Sequence, residues 1–231
     1  MTDDDHILWQ EKKHCALISA ALLQAGRIQE PMMTALDPMT LTGRHVELRP
    51  LDQRQHDDLV KAVKDGELWR LWYTSIPGPD TMATEIDRRL GLQSAGTMLP
   101  FALIEPGSDQ AVGMTTYMNI DAKTPRLEIG STWYARRVQR TPLNTEAKLL
   151  LLSHAFDVIG CTAVEFRTHF HNHQSRRAIE RLGAKLDGIL RQHMRTADGN
   201  LRDTCVYSII ASEWPTVRCG LQWKLAQTRT E

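Results

Sequence analysis

Residues His169–Ala184 read HFHNHQSRRAIERLGA, and the stretch admits two readings. The alternating histidines His169, His171 and His173 look like a metal-ligand cluster. The same residues also read as a strand running into a helix. TAVEFRTHF, residues 162–170, places Val164 and Phe166 on one face. Asn172 is a favoured helix N-cap and Gly183 a favoured C-cap. His169 and His171 lie where that strand is ending, and His173 falls on the first helical turn and points elsewhere. A metal asks for three or four converging ligands, and no carboxylate or cysteine stands close by to complete them. The strand-to-helix reading is therefore adopted and no metal site is expected.

The residues on either side extend the pattern. RHVELRPL alternates as a strand does, and Gln53 to Trp72 has helical spacing in Leu59, Val60, Val63, Leu68 and Leu71. Pro77, Gly78 and Pro79 force a loop, after which Asp80 or Thr81 caps a helix through about Ser94. LPFALIE, AVGMTTYMNI and RLEIGSTWY read as strands, the first two joined by a turn at Gly107 to Gln110. An arginine-rich loop, ARRVQRTPL, precedes a helix opened by Asn144 or Thr145 and ended by Gly160. AKLDGILRQHMRT and RDTCVYSIIA, joined at ADGN, form a final hairpin, because Asp-Gly favours the tight turn.

Composition bounds the partners. Among 231 residues, 28 Lys plus Arg balance 28 Asp plus Glu, which gives no whole-chain attraction to nucleic acid or a membrane surface. Cys15, Cys161, Cys205 and Cys219 are widely spaced, with no CxxC pair and too few for a disulfide scaffold. A reducing, cytoplasmic setting is expected. Trp9 to Ile28 reads as an amphipathic helix. A packing arm is expected rather than a secretion signal, because Asp3, Asp4, Asp5 and Glu11 outweigh Lys12 and Lys13 ahead of the apolar run. Pro31 and Pro38 mark a linker. The expected division is a helical extension and linker over 1–40, a domain over 41–212 and a tail over 213–231.

The order of elements and four motifs resemble the GNAT superfamily of acyl-CoA-dependent N-acetyltransferases, in particular the branch of ribosomal-protein N-terminal acetyltransferases. The motifs are LTGRHVELRPL; LEIGSTWY running into NTEAKLLLLSHAFDVIG; NHQSRRAIERLGA; and DGILRQHM with RDTCVYSII. They cover about Leu41 to Ala211. The resemblance implies an α/β (α+β) fold: a mixed, twisted sheet of about seven strands that splays near its middle, flanked by helices, here with an extra N-terminal helix. It implies acetyl-CoA as acyl donor, its pantetheine arm in the splay, a primary amine of a peptide, protein N-terminus or small molecule as acceptor, no metal, and a monomer or homodimer.

The resemblance also assigns residues. The family's phosphate loop, Gln/Arg-x-x-Gly-x-Gly/Ala, falls on RVQRTP, so Arg137 fits its first position while Arg140 and Pro142 replace the glycines. Proline has no N–H to offer a phosphate. Arg136, Arg137 and Arg140 either supply side-chain charge instead or form an exposed basic loop. Val138, Thr141, Asn144 and Thr145 complete the expected donor-binding stretch. Ser131, Thr132 and Trp133 are where the family's oxyanion N–H would lie, and Asn172 is where pantetheine would be held. Many members place a tyrosine acid where this chain has Ile179, which leaves Ser175 as the nearest hydroxyl. It is either the acid for the departing thiolate or a stabiliser of the first helical turn. Glu128 is a catalytic carboxylate or a solvated strand residue, and His193 a base or a surface histidine. Trp69, Trp72 and Tyr73, read on adjoining helical turns, are the expected acceptor wall or simply core. A non-catalytic acyl-CoA-binding module is the alternative to an enzyme.

Overall fold

In the computed structural model, residues 37–196 and 198–227 are described. The expected helix over Trp9–Ile28 lies outside them. Among the described residues, eight strands make one mixed sheet in the order β1-β2-β3-β4-β5-β6-β8-β7. They are β1 (Leu41–Thr42), β2 (Glu47–Pro50), β3 (Met98–Glu105), β4 (Gln110–Asp121), β5 (Arg126–Tyr134), β6 (Ala163–His169), β7 (Lys185–Arg195) and β8 (Leu201–Ile210). Among the described residues, five α-helices flank it: α1 (His56–Lys64), α2 (Met82–Ser94), α3 (Pro142–Ser153), α4 (His173–Leu182) and α5 (Trp214–Ala226).

Every neighbouring pair is antiparallel except β5 and β6. These two run parallel and pair only at Arg126–Ala163, Leu127–Val164 and Glu128–Glu165. Beyond Glu128 and Glu165 they part, which is the expected splay. β5 is further distorted by a bulge. Met114 pairs with Trp133 and Thr116 with Gly130, so Thr115 faces two residues, and Ser131 takes φ +48°.

Residues directly opposite in a ladder point to the same side. One side of the sheet carries Phe166, Thr168, Cys205 and Tyr207 and packs on α4, where the Tyr207 hydroxyl donates to Glu180 and accepts from Arg176. α3 covers the same side, accepting from the Tyr117 hydroxyl at the Leu151 carbonyl. The opposite side carries Glu128, Glu165, Arg167, His169 and Thr204. α2 lies over that side, and its buried Arg89 donates to the Thr116 hydroxyl.

Several boundaries differ from expectation. The first helix stops at Lys64 rather than Trp72, because Gly66 (φ +96°) and Glu67 (φ +48°) turn left-handed. A Cβ on Gly66 would lie 2.8 Å from the Arg136 Cβ, so the close approach as well as the turn asks for glycine. Trp69 and Trp72 therefore do not sit on turns of an α-helix: a short 3₁₀ segment, Leu68–Arg70, is followed by loop. The helix expected to open at Asn144 or Thr145 opens earlier. Thr141 is its cap, accepting from the Leu143 N–H, with Pro142 as first residue, where its missing N–H costs nothing. Asn172 and Gly183 cap α4 as expected. The segment expected as a tail contains α5, which buries Trp214 and Leu221; the Trp214 indole stacks on Phe156 and donates to Asp157.

Glu146 fixes the far edge of the sheet. It projects from α3 and accepts the backbone N–H groups of Arg44, His45 and Val46, holding the β1–β2 turn. Cys161 and Cys205 are buried thiols and Cys219 is exposed.

Candidate active site

The parting of β5 from β6 opens a cleft of about 590 Å³, in the range of small-molecule sites. Its lining comes from both sides of the sheet. Asn144 and Lys148 of α3, with Ser175 and Ile179 of α4 and the cap Asn172, come from one; Glu128, Arg167, His169, Arg202 and Thr204 come from the other. The loop residues Leu68, Leu71 and Tyr73–Ile76 close one end, and the bulged run Ile129–Tyr134 forms a wall.

Of the expected site residues, Glu128, Ser131, Thr132, Trp133, Asn144, Asn172, Ser175, His193 and Tyr73 line this cleft. Trp69, Trp72, Arg136, Arg137, Val138, Arg140, Thr141 and Thr145 do not. Trp72 is exposed, but its ring meets Tyr73 at 5.5 Å and His169 at 5.3 Å, so it stands beside the entrance. Trp69 packs against the core. Arg137 pairs with Glu105 at 2.8 Å, and its N–H donates to the Asp65 carboxylate. The Arg136 N–H donates to the Asp65 carbonyl. The loop is thus tied to the end of α1. Arg140 takes φ +63°, so the backbone keeps a glycine-like turn without the glycine.

Glu128 is buried, not a solvated strand residue. It accepts from the Asn119 amide at 2.7 Å and lies 3.6 Å from the Arg167 guanidinium. Burial outweighs both and pushes its carboxyl up from the usual range. His193 is exposed at the cleft, its Nδ1 3.2 Å from the Thr204 hydroxyl. The Ser175 N–H donates to the Asn172 side chain, so Ser175 does stabilise the first turn while also lining the cleft. The His169 Nδ1 accepts from the His171 N–H, and burial holds its imidazole below the ordinary value. Among the described residues no group of three or more His, Cys, Asp or Glu is placed to hold a metal ion.

Sequence reasoning missed three buried or half-buried cations. The Lys148 amine donates to the Thr115 and Thr132 hydroxyls at 3.1 and 3.0 Å, and burial lowers its pKa to about 7. Arg89 donates to Glu85, to the Thr116 hydroxyl and to the Ser131 carbonyl. The two cations therefore grip the bulge from opposite sides of the sheet. Arg202, on β8, donates to the Thr204 hydroxyl at 3.0 Å. The signal for Lys148 was present, because it stands between Ala147 and an unbroken run of leucines.

Two buried polar atoms in the cleft wall, Asn144 Oδ1 and Trp133 Nε1, have no hydrogen-bond partner. Buried orphans of this kind ask for a ligand group or a water. An elongated acyl donor with amide groups along its arm fits such a wall.

Comparison with known proteins agrees with this geometry. Residues 45–185 match the family model described as an acetyltransferase (GNAT) domain. A GCN5-related N-acetyltransferase from Brucella melitensis is 32% identical with a TM-score of 0.74, over 83% of this chain and 87% of that one. A putative acetyltransferase from T. thermophilus is 31% identical with a TM-score of 0.73, over 82% and 98%. RimJ from Mycobacterium smegmatis, solved in complex with CoA-disulfide, shares the fold at 20% identity and a TM-score of 0.69, over 81% and 95%. None of the curated proteins compared matches. With the family match covering more than half of its length, the chain belongs to the GNAT acetyltransferases.

Proposed function

We propose that the protein is an acetyl-CoA-dependent N-acetyltransferase acting on a primary amine, of a peptide or protein N-terminus or of a small molecule, by direct transfer in a ternary complex. The observation that carries this is the cleft's lining from both sides of a parted sheet. Donor and acceptor can then approach one reacting centre from opposite faces, which is the positioning that direct transfer needs. The α3–α4 side, with Asn144, Asn172 and Ser175, receives the donor. The opposite face, with Glu128 and the Tyr73 loop at its end of the cleft, receives the acceptor.

The chemistry has three demands. An ammonium must lose its proton before it can attack, and the buried Glu128 is the base: its raised pKa makes it a better proton acceptor than an ordinary carboxylate. Negative charge on the thioester oxygen needs a fixed donor. The backbone at Ser131–Trp133, where the bulge leaves the β5 ladder irregular, supplies it. The departing thiolate takes the Ser175 proton as the serine takes up the proton that the newly bonded amine nitrogen sheds. Arg136, Arg137 and Arg140 lie at the start of α3, where helix dipole and side-chain charge favour phosphate.

A donor-binding module without turnover is the second reading, favoured by the buried Ile179 where many family members carry a tyrosine. Thiol release from acetyl-CoA, followed across amines and peptides, separates the two. An enzyme releases thiol in an amine-dependent way, with intersecting initial-rate plots. A module binds CoA by calorimetry and releases none. Among the described residues no helix is long and apolar enough to cross a membrane, and the buried thiols Cys161 and Cys205 favour the cytoplasm as its setting.

A further inference from the structure

The acceptor side of the cleft carries more positive than negative charge. There the cleft is lined by the Glu128 carboxylate and the Arg167 and Arg202 guanidinium groups, with Arg126 and Glu165 next to them on the same face. Glu165 pairs with both Arg126 and Arg167, and Arg167 also reaches Glu128 at 3.6 Å. Those four groups therefore satisfy one another.

Arg202 is left over. Among the described residues the one hydrogen bond of its guanidinium runs from Nε to the Thr204 hydroxyl; no carboxylate lies within 4.0 Å, and Glu128, already held by Asn119 and Arg167, is the only one whose charge reaches it. Asp203, its neighbour in sequence, points to the other side of β8 and pairs with Arg191. His169 and His193 also reach this side, His193 with its Nδ1 3.2 Å from the Thr204 hydroxyl, and the Arg89–Glu85 pair of α2 closes on itself. Burial and then Arg202 push the His169 imidazole below its ordinary value. A half-buried guanidinium without a contacting anion is costly, and a planar fork of N–H donors is suited to a carboxylate.

We propose that the acceptor is a small amine that also bears a carboxylate, with Arg202 binding the carboxylate and Glu128 facing the amine. This rests on the acetyl-transfer reading above. A simple cationic amine would bring a second positive charge beside Arg202. An amine with its own carboxylate brings no net charge, and when the amine gives up its proton to Glu128 the carboxylate still balances Arg202. The apolar loop residues Leu71 and Ile76 supply a wall for an uncharged side chain.

Three acceptors that share one skeleton test this: phenylalanine, phenylalaninamide and phenethylamine, each with acetyl-CoA. The free acid is expected to be used with a kcat/KM about tenfold or more above the amide, since a charge-assisted contact is lost in the amide. In R202Q that acid-to-amide ratio should fall toward one, and in R202K it should be intermediate. A thermal melt checks that both variants are folded. Equal use of acid and amide by the parent protein, or a ratio unchanged in R202Q, overturns the proposal and leaves acetyl transfer standing. If no acceptor releases thiol, the acetyl-transfer reading fails by itself. The carboxylate site is then judged by calorimetry with CoA present, where phenylalanine must bind the parent and bind R202Q about tenfold more weakly; failure of either overturns it.

Discussion

Lys148 Nζ lies 3.0 Å from the Thr132 hydroxyl, deep beneath the β5 bulge, and no carboxylate among the described residues pairs with it. Its ammonium is fully desolvated, so its pKa falls from 10.5 to about 7 on folding. The unfolded chain therefore holds the proton more tightly. Wild-type stability is fully present above 10.5 and is lost as pH falls from there through 7. Lys148→Met should stabilise the fold at pH 6 by on the order of 3–5 kcal/mol, at about 1.36 kcal/mol per pKa unit. The Thr115 and Thr132 hydroxyls, 2.8 Å apart, still satisfy each other. Urea unfolding at pH 9 should show the gap narrowed by about half. An equal gap at both pH values would count against a charged Lys148. Because Thr132 lies within the stretch proposed to supply the oxyanion donor, kcat should fall in the same variant.

Arg89 should behave in the opposite way, because it has a partner. It bridges Glu85, the Thr116 hydroxyl and the Ser131 carbonyl. Arg89→Met orphans those acceptors in a buried setting and should destabilise by about 3–5 kcal/mol. Chemical denaturation reads this directly, and a loss under about 1 kcal/mol would mean that water replaces the guanidinium.

Local chemistry made much of the fold legible. β5 runs over Arg126–Tyr134, as its pattern predicts, and Asn172 and Gly183 cap α4. The failures have physical causes. α1 stops at Lys64 because two successive residues turn left-handed, and apolar periodicity does not register a turn of that kind. Thr141 caps α3 in place of Asn144 because Pro142 pre-sets the first helical residue. Lys148, Arg89 and Arg202 escaped notice because a charged residue on an amphipathic element reads as solvent-facing. Their burial follows from the parting of β5 and β6 and from helices packed on both sides, which are properties of the assembled sheet. The candidate site was legible as a set of segments; which of their side chains meet in the cleft was not.

Glu128 offers a pH test. Burial raises its pKa above 4.5, so its carboxylate, the form that accepts a proton, is lost as pH falls through that raised value. The rate should fall on the acid side accordingly. Glu128→Gln keeps the acceptor for the Asn119 amide but cannot take the proton. It should lower kcat/KM by about 10²–10⁴-fold and flatten the acid limb. A variant with an unchanged profile would assign the base elsewhere.

The cap of α4 separates binding from chemistry. The Asn172 side chain accepts from the Ser175 N–H at 3.0 Å, and both residues line the cleft. Asn172→Ala removes the cap and should cost about 1 kcal/mol of stability. It should also raise the KM for acetyl-CoA, because the side chain proposed to hold the pantetheine arm is gone. Ser175→Ala leaves the Ser175 N–H on Asn172 intact, so its stability should change little. If the Ser175 hydroxyl protonates the departing thiolate, the variant's defect appears in kcat with KM nearly unchanged. An acceptor series run with a better thiol leaving group decides the point: a thiolate that needs no proton should restore the Ser175→Ala rate to that of the parent protein. A kcat deficit that persists with such a donor would confine Ser175 to the helix cap.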